Sequence, residues 1–119
     1  MPWLARVAHA AHEAGAQSAS RRCVVACSAL KQSYRDTLRD AEAMRVVHVY
    51  LRLAPALLLK RLEQRKGHFM KATMLESQLE TLEEPYVDKE RDILVVDIVA
   101  DSSPAMVLHM ATQGLEALL

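Results

Sequence analysis

A chain of 119 residues has room for one ordinary domain, and 51 % hydrophobic against 25 % charged residues is a globular balance, not a disordered one. The 15 Lys and Arg offset the 15 Asp and Glu, so there is no positive surplus to grip nucleic acid, and no apolar run approaches the length of a bilayer crossing. The N-terminus lacks a signal-peptide pattern, and Gly15, Gly67 and Gly114 lie too far apart to form a glycine-rich phosphate loop.

Residues 2–17 read as a helix, opened by Pro2 and striped by Trp3, Leu4, Val7, Ala8, Ala11 and Ala14. Ser18 to Ser20 is a polar break. Residues 22–29 form a short, continuous apolar run, the pattern of a strand buried on both faces. Residues 31–42 turn polar and helical, and 45–53 are β-branched and strand-like. Pro55 opens a helix that runs to about Lys66 and stops at Gly67. A further helix covers 71–83, with Met74, Leu75, Leu79 and Leu82 on one side and Glu76, Ser77, Glu80 and Glu83 on the other. After the polar connector 83–91, residues 92–98 form a third buried strand, and Pro104 opens a last helix.

Strands alternating with helices predict an α/β fold with a parallel sheet covered on both faces. Ligands of such sheets bind beyond the carboxyl ends of the strands. Those ends are Ser28-Ala29-Leu30-Lys31, Arg52-Leu53-Ala54 and Ile98-Val99-Ala100-Asp101.

Cys23 and Cys27 share one strand, where residues four apart are too distant for a disulfide, and no suitably spaced partners complete a zinc site. They are expected as buried small hydrophobes in a reducing compartment. His9 and His12 sit three apart on a helix without the zincin order, which reads as a surface pair; His48 reads as a core histidine.

Two segments can carry chemistry. At Cys27 to Asp36 a strand end runs directly into a helix, where small residues admit a ligand, helix-start N–H groups favour an anion and Lys31 adds a charge. The same pattern also fits an ordinary strand-to-helix turn. In Lys60 to Phe69, Arg61 and Arg65 lie on one helix face and could clamp phosphate oxygens. Basic residues in a last helical turn also complement the helix dipole without any ligand.

Together these segments resemble the gluconokinase family of small P-loop sugar-acid kinases. The resemblance rests on Pro2-Trp3-Leu4, on Cys27-Ser28-Ala29-Leu30-Lys31 followed by Tyr34-Arg35-Asp36 and Leu38-Arg39, and on Arg61-x-x-x-Arg65-x-Gly67-His68-Phe69-Met70. It continues in Leu75-x-Ser77-Gln78-x-x-x-Leu82-Glu83-x-Pro85 and Val95-Val96-Asp97-Ile98. These motifs run in family order over nearly the whole chain, and the segment with arginines four apart before Gly-His-Phe is the most specific.

The resemblance implies a partial three-layer α/β/α P-loop-kinase-like fold: a parallel sheet of about three strands and a helical lid segment at about 61–85, without the N-terminal P-loop strand. Residues 1–119 would form a single incomplete kinase domain. The implied activity is ATP-dependent phosphorylation of D-gluconate to 6-phosphogluconate, with ATP and Mg2+ as cofactors; another sugar acid or shikimate is the alternative acceptor. Arg61 and Arg65 are implied as catalytic lid arginines that neutralise phosphate charge. Ser28, Ala29, Leu30 and Lys31 would line the sugar-acid pocket, with His68 and Gln78 joining the substrate set from the lid region. Val99, Asp101 and Pro104 would lie with Arg61 and Arg65 at the nucleotide. The family's phosphate loop, its magnesium ligand and its base precede Pro-Trp-Leu, so the chain is expected to be an N-terminally truncated form, inactive alone, poorly stable and prone to self-association or homodimer formation. Its partners would be gluconate and ATP once completed, with no nucleic acid and no membrane, in the cytoplasm. The alternative is a non-catalytic remnant that binds or regulates a full-length kinase.

Overall fold

The structure is a computed structural model that describes residues 2–64 and 72–119. The element order is α1 (Pro2–Gln17), α2 (Gln32–Asp40), β1 (His48–Arg52), α3 (Pro55–Gln64), α4 (Ala72–Thr81), β2 (Ile93–Asp97) and α5 (Pro104–Leu118). Arg65, Gly67 and His68 lie outside the described residues. The chain forms two compact units, one of residues 1–46 with 82–84 and the other of 47–81 with 85–119.

In the first unit α1 packs on α2. Leu4, Ala8 and Leu38 are its buried core, with Val7, Ala29, Tyr34 and Met44 packed against them. Ser18 ends α1: its hydroxyl donates to the Gly15 carbonyl at 3.1 Å and accepts the Arg22 N–H at 3.1 Å. Arg21, at φ 61°, turns its guanidinium back to the Ala16 carbonyl at 3.2 Å. The last-turn carbonyls of the helix thus find donors outside it.

Residues 23–30 have no regular secondary structure, so the strand read at 22–29 is not formed, and the sheet has two strands among the described residues. Val24 is 98 % exposed, and Cys23 and Cys27 are exposed free thiols, not buried hydrophobes. The reason is that apolarity alone does not make a strand. The ladder does, and this run has no ladder partner among the described residues.

In the second unit β1 and β2 pair in parallel, from His48 opposite Ile93 to Arg52 opposite Asp97. Ile93, Val96 and Ile98 are buried, as is Leu75 of α4. α5 lies on β2, and Gly114 is the point of closest approach: a Cβ there would stand 2.5 Å from Leu94 Cδ1. Ser103 caps α5 by accepting the Met106 N–H at 3.1 Å, with Pro104 in the first turn. β1 does not have the two-sided burial expected of a covered parallel strand. Val49 and Leu51 are exposed and alternate with half-buried neighbours, the signature of one covered face.

Candidate functional site

The first unit gathers the residues at the predicted sugar-acid turn. A cavity of about 160 Å³ is lined by Trp3 and Leu4 from α1, by Cys27, Ser28, Ala29 and Leu30, and by Tyr34 from α2. Lys31 is not among the lining residues; it is the N-cap residue of α2, its ammonium 5.8 Å from the centre of the Tyr34 ring.

Lys31 has no capping side chain, and the helix start is satisfied from a distance. The Glu83 carboxylate accepts the Gln32 N–H at 3.0 Å, from 51 residues away in sequence. The Glu83 N–H donates to the Leu30 carbonyl at 2.7 Å. Arg35, buried to 3 % exposure, sends one guanidinium nitrogen to the Ala29 carbonyl at 2.8 Å and the other to the Glu83 carbonyl at 2.7 Å. Ala29 is held at φ 38°, a left-handed backbone that favours glycine. Sequence reasoning gave Arg35 and Glu83 no role. The available signal was a helix opening on Lys rather than on Ser, Thr, Asp or Asn, which calls for an acceptor from elsewhere.

The second unit gathers those residues read as nucleotide-binding that are described, Arg65 lying outside them. Arg61, in the last described turn of α3, donates to the carbonyls of Val99 and Ser102, both at 3.3 Å, at the turn that follows β2. That turn is closed by the Ser102 N–H to the Val99 carbonyl at 3.0 Å, and by the Val99 N–H to the Ser102 hydroxyl at 3.0 Å. Asp101 is exposed within it, and Pro104 opens α5 just after it. Arg61, Val99, Asp101 and Pro104 therefore sit together at the carboxyl end of β2. Gln78 is half-buried on α4 and lines neither this turn nor a second cavity of about 200 Å³ between α3 and α4.

Also at the carboxyl ends of the strands, Arg52 grips Asp97 with two bonds of 2.6 and 3.0 Å. This hydrogen bonding holds the Asp97 carboxyl below its ordinary pKa. Opposite charges at the ends of two predicted strands were the legible sign of that pair. His9 bonds Glu42 at 2.6 Å and Glu13 at 3.1 Å, so it belongs to an acidic pair rather than to a unit with His12. No group of three His, Cys, Asp or Glu that could hold a metal ion exists among the described residues. No described helix is long and apolar enough to cross a membrane.

Comparison with known proteins places these features in context. No protein-family model matches the chain. A probable gluconokinase of Saccharomyces cerevisiae is 41 % identical over 81 % of this chain and 50 % of its own length. A probable gluconokinase of Xenopus tropicalis is 32 % identical over 94 % of this chain and 70 % of its own. The crystal structure of a gluconokinase from Sinorhizobium meliloti 1021 superposes with a TM-score of 0.78 at 36 % identity, covering 98 % of this chain and 61 % of that one. The chain spans about half the length of most of the curated relatives it matches.

Proposed function

The chain belongs to the gluconokinase family, and from that premise we propose that it serves the ATP-dependent phosphorylation of D-gluconate to 6-phosphogluconate in the cytoplasm. The observation that carries this reading is the extent of the likeness to the Sinorhizobium meliloti gluconokinase, 98 % of the chain at 36 % identity.

In this reading ATP brings the transferable phosphoryl group, and the chain supplies positioned charge on two sides. Ser28, Ala29, Leu30 and Lys31 line the acceptor pocket, where the Lys31 ammonium meets the gluconate carboxylate. Arg61 and Arg65 are the catalytic lid arginines. A guanidinium stays charged at any working pH and spreads its donors in a fork that matches phosphate oxygens. Stabilising the charge spread over a transferring phosphoryl group is most of what such a reaction asks of a protein. Val99, Asp101 and Pro104 border the nucleotide beside Arg61. His68 and Gln78 complete the substrate set from the lid segment, about 61–85, of a kinase domain that residues 1–119 fill in part.

No group of three or more His, Cys, Asp or Glu that could hold a metal ion exists among the described residues, and no step is assigned through magnesium. These 119 residues also contain no Gly-x-x-x-x-Gly-Lys-Ser/Thr loop. In this reading turnover requires that loop from elsewhere, and residues 1–119 by themselves are inactive.

The test is to join this chain to the phosphate-loop part of a gluconokinase relative and follow 6-phosphogluconate formation. The joined protein turns over and residues 1–119 alone do not. In the joined protein Arg65→Ala lowers kcat by about 100-fold or more with an unchanged circular dichroism spectrum. Gluconate-independent ATP consumption, or none at all, in a folded joined protein overturns the reading.

One observation favours a second reading, a non-catalytic partner of a full-length kinase: the apolar run around Val24 is exposed. Co-elution of the chain with an intact gluconokinase in size exclusion supports it, and separate elution removes it.

A further inference from the structure

The 28–32 turn is shaped by residues that do not line the cavity. Two carbonyls and one N–H group of the turn are tied by the side chains of Arg35 and Glu83 and by the Glu83 backbone. Arg35 bridges the Ala29 and Glu83 carbonyls at 2.8 and 2.7 Å. Glu83 answers with its N–H to Leu30 at 2.7 Å and its carboxylate to the Gln32 N–H at 3.0 Å.

We propose that Arg35 and Glu83 form a positioning joint that holds the acceptor turn Ser28–Lys31 in shape, with Ala29 left-handed, and fastens it to residues 82–84. This rests on the reading of that turn as the sugar-acid pocket.

Three physical points carry the inference. First, a guanidinium at 3 % exposure is costly to bury unless its donors are satisfied, and both carbonyls it meets come from irregular backbone. Arg is suited to this because its rigid fork reaches two acceptors at once, which a Lys ammonium on a flexible stem does not reproduce. Second, Ala29 stands at φ 38° without being glycine. Such a conformation persists only where the surroundings over-determine it, and the bond from Arg35 to the Ala29 carbonyl is that restraint. Third, Glu83 lies two residues beyond α4, the last helix of the segment read as the lid. Residues 82–84 pack with the first unit, so both halves of the joint lie in one compact unit although they are distant in the chain. The turn is therefore preformed, and its shape is set by a residue 48 positions away from Arg35.

The test uses the full chain in its parent form and as Arg35→Lys, Arg35→Ala and Glu83→Ala. Amide hydrogen exchange at Leu30, Gln32 and Glu83 is measured together with amide shift changes on adding gluconate alone. Glu83 is exposed, so Glu83→Ala keeps the fold and bares the Gln32 N–H, whose exchange rises about ten-fold. Arg35→Lys keeps the charge but frees the Glu83 amide to exchange faster by a similar factor, and it fails to restore the gluconate-induced shifts at Ser28 to Lys31 that Arg35→Ala loses. Parent-like exchange in both Glu83→Ala and Arg35→Lys overturns the joint, as does a parent-like gluconate response in Arg35→Ala. If the parent itself shows no gluconate shifts at these residues, the acceptor reading fails, while the exchange rates still decide the joint.

Discussion

The Arg35 guanidinium and the Glu83 carbonyl, 48 residues apart in the chain, are joined by a 2.7 Å hydrogen bond. That contact shapes the pocket wall, because the same guanidinium also holds the Ala29 carbonyl. The strain it restrains is measurable. A non-glycine residue in the left-handed region costs roughly 1–2 kcal/mol, while glycine at the same place gives up about 0.5–1 kcal/mol in unfolded-chain entropy. Relief exceeds loss, so Ala29→Gly raises stability by about 0.5–1 kcal/mol in urea unfolding. A destabilised Ala29→Gly protein contradicts the account of strain at this turn.

Gly114 is needed for room rather than for conformational freedom. Its helix rests on β2 with the Leu94 side chain where a Cβ would be, at 2.5 and 2.8 Å from the two methyl carbons. Replacing a mid-helix glycine by alanine gains about 1 kcal/mol in propensity, and Leu94 can shift its methyls for a single added carbon. A branched side chain cannot be accommodated so simply. Gly114→Val is expected to cost about 2 kcal/mol through overpacking, read as a lowered midpoint in thermal or urea unfolding. Gly114→Val with Leu94→Ala should recover part of that loss. Equal loss in the single and double variants would place the strain elsewhere.

Local patterns reached the helices and two of the strands. Pro55 and Pro104 sit at the first residues of α3 and α5, and the runs at 45–53 and 92–98 contain β1 and β2. They failed at 22–29, where a buried-strand composition has no ladder partner among the described residues, since pairing is a property of two segments. The candidate site divides in the same way. The small residues of Ser28 to Lys31 and the basic turn at Arg61 were visible because they are contiguous. The Glu83 cap on Gln32 was not, because it joins residues 51 apart. The fork of Arg52 on Asp97 depends on register, which hydrophobic alternation sets only once the partner strand is known.

The exposed run 23–28 has a consequence in solution. Val24 at 98 % and Val25 at 47 % exposure sit in irregular chain with no charge between Arg22 and Lys31. Unpaired apolar backbone of this kind recruits other chains. Residues 1–119 are therefore expected to elute from size exclusion as concentration-dependent oligomers, and Val24→Lys to shift the distribution toward monomer. A parent chain that remains monomeric up to about 0.1 mM, where weak association between exposed patches becomes measurable, refutes this expectation.

His9 gives the first unit a pH-dependent tie. Its ring nitrogens meet Glu42 at 2.6 Å and Glu13 at 3.1 Å, linking α1 to the bend after α2. The hydrogen bond to Glu42, then the charge of Glu13, raises the His9 pKa above its ordinary 6.5. Because the folded value is the higher one, the folded state binds the proton more tightly than the unfolded chain. The tie's contribution is thus complete below pH 6.5, and it is lost as pH rises through the folded-state midpoint. His9 is solvent-exposed, so screening keeps its share of global stability slight, and the sensitive readout is local. An NMR titration of the His9 ring should give a midpoint above 6.5, and Glu42→Gln should draw it back toward that value. A His9 midpoint at or below 6.5, or one unmoved by Glu42→Gln, breaks the assigned link between the two elements.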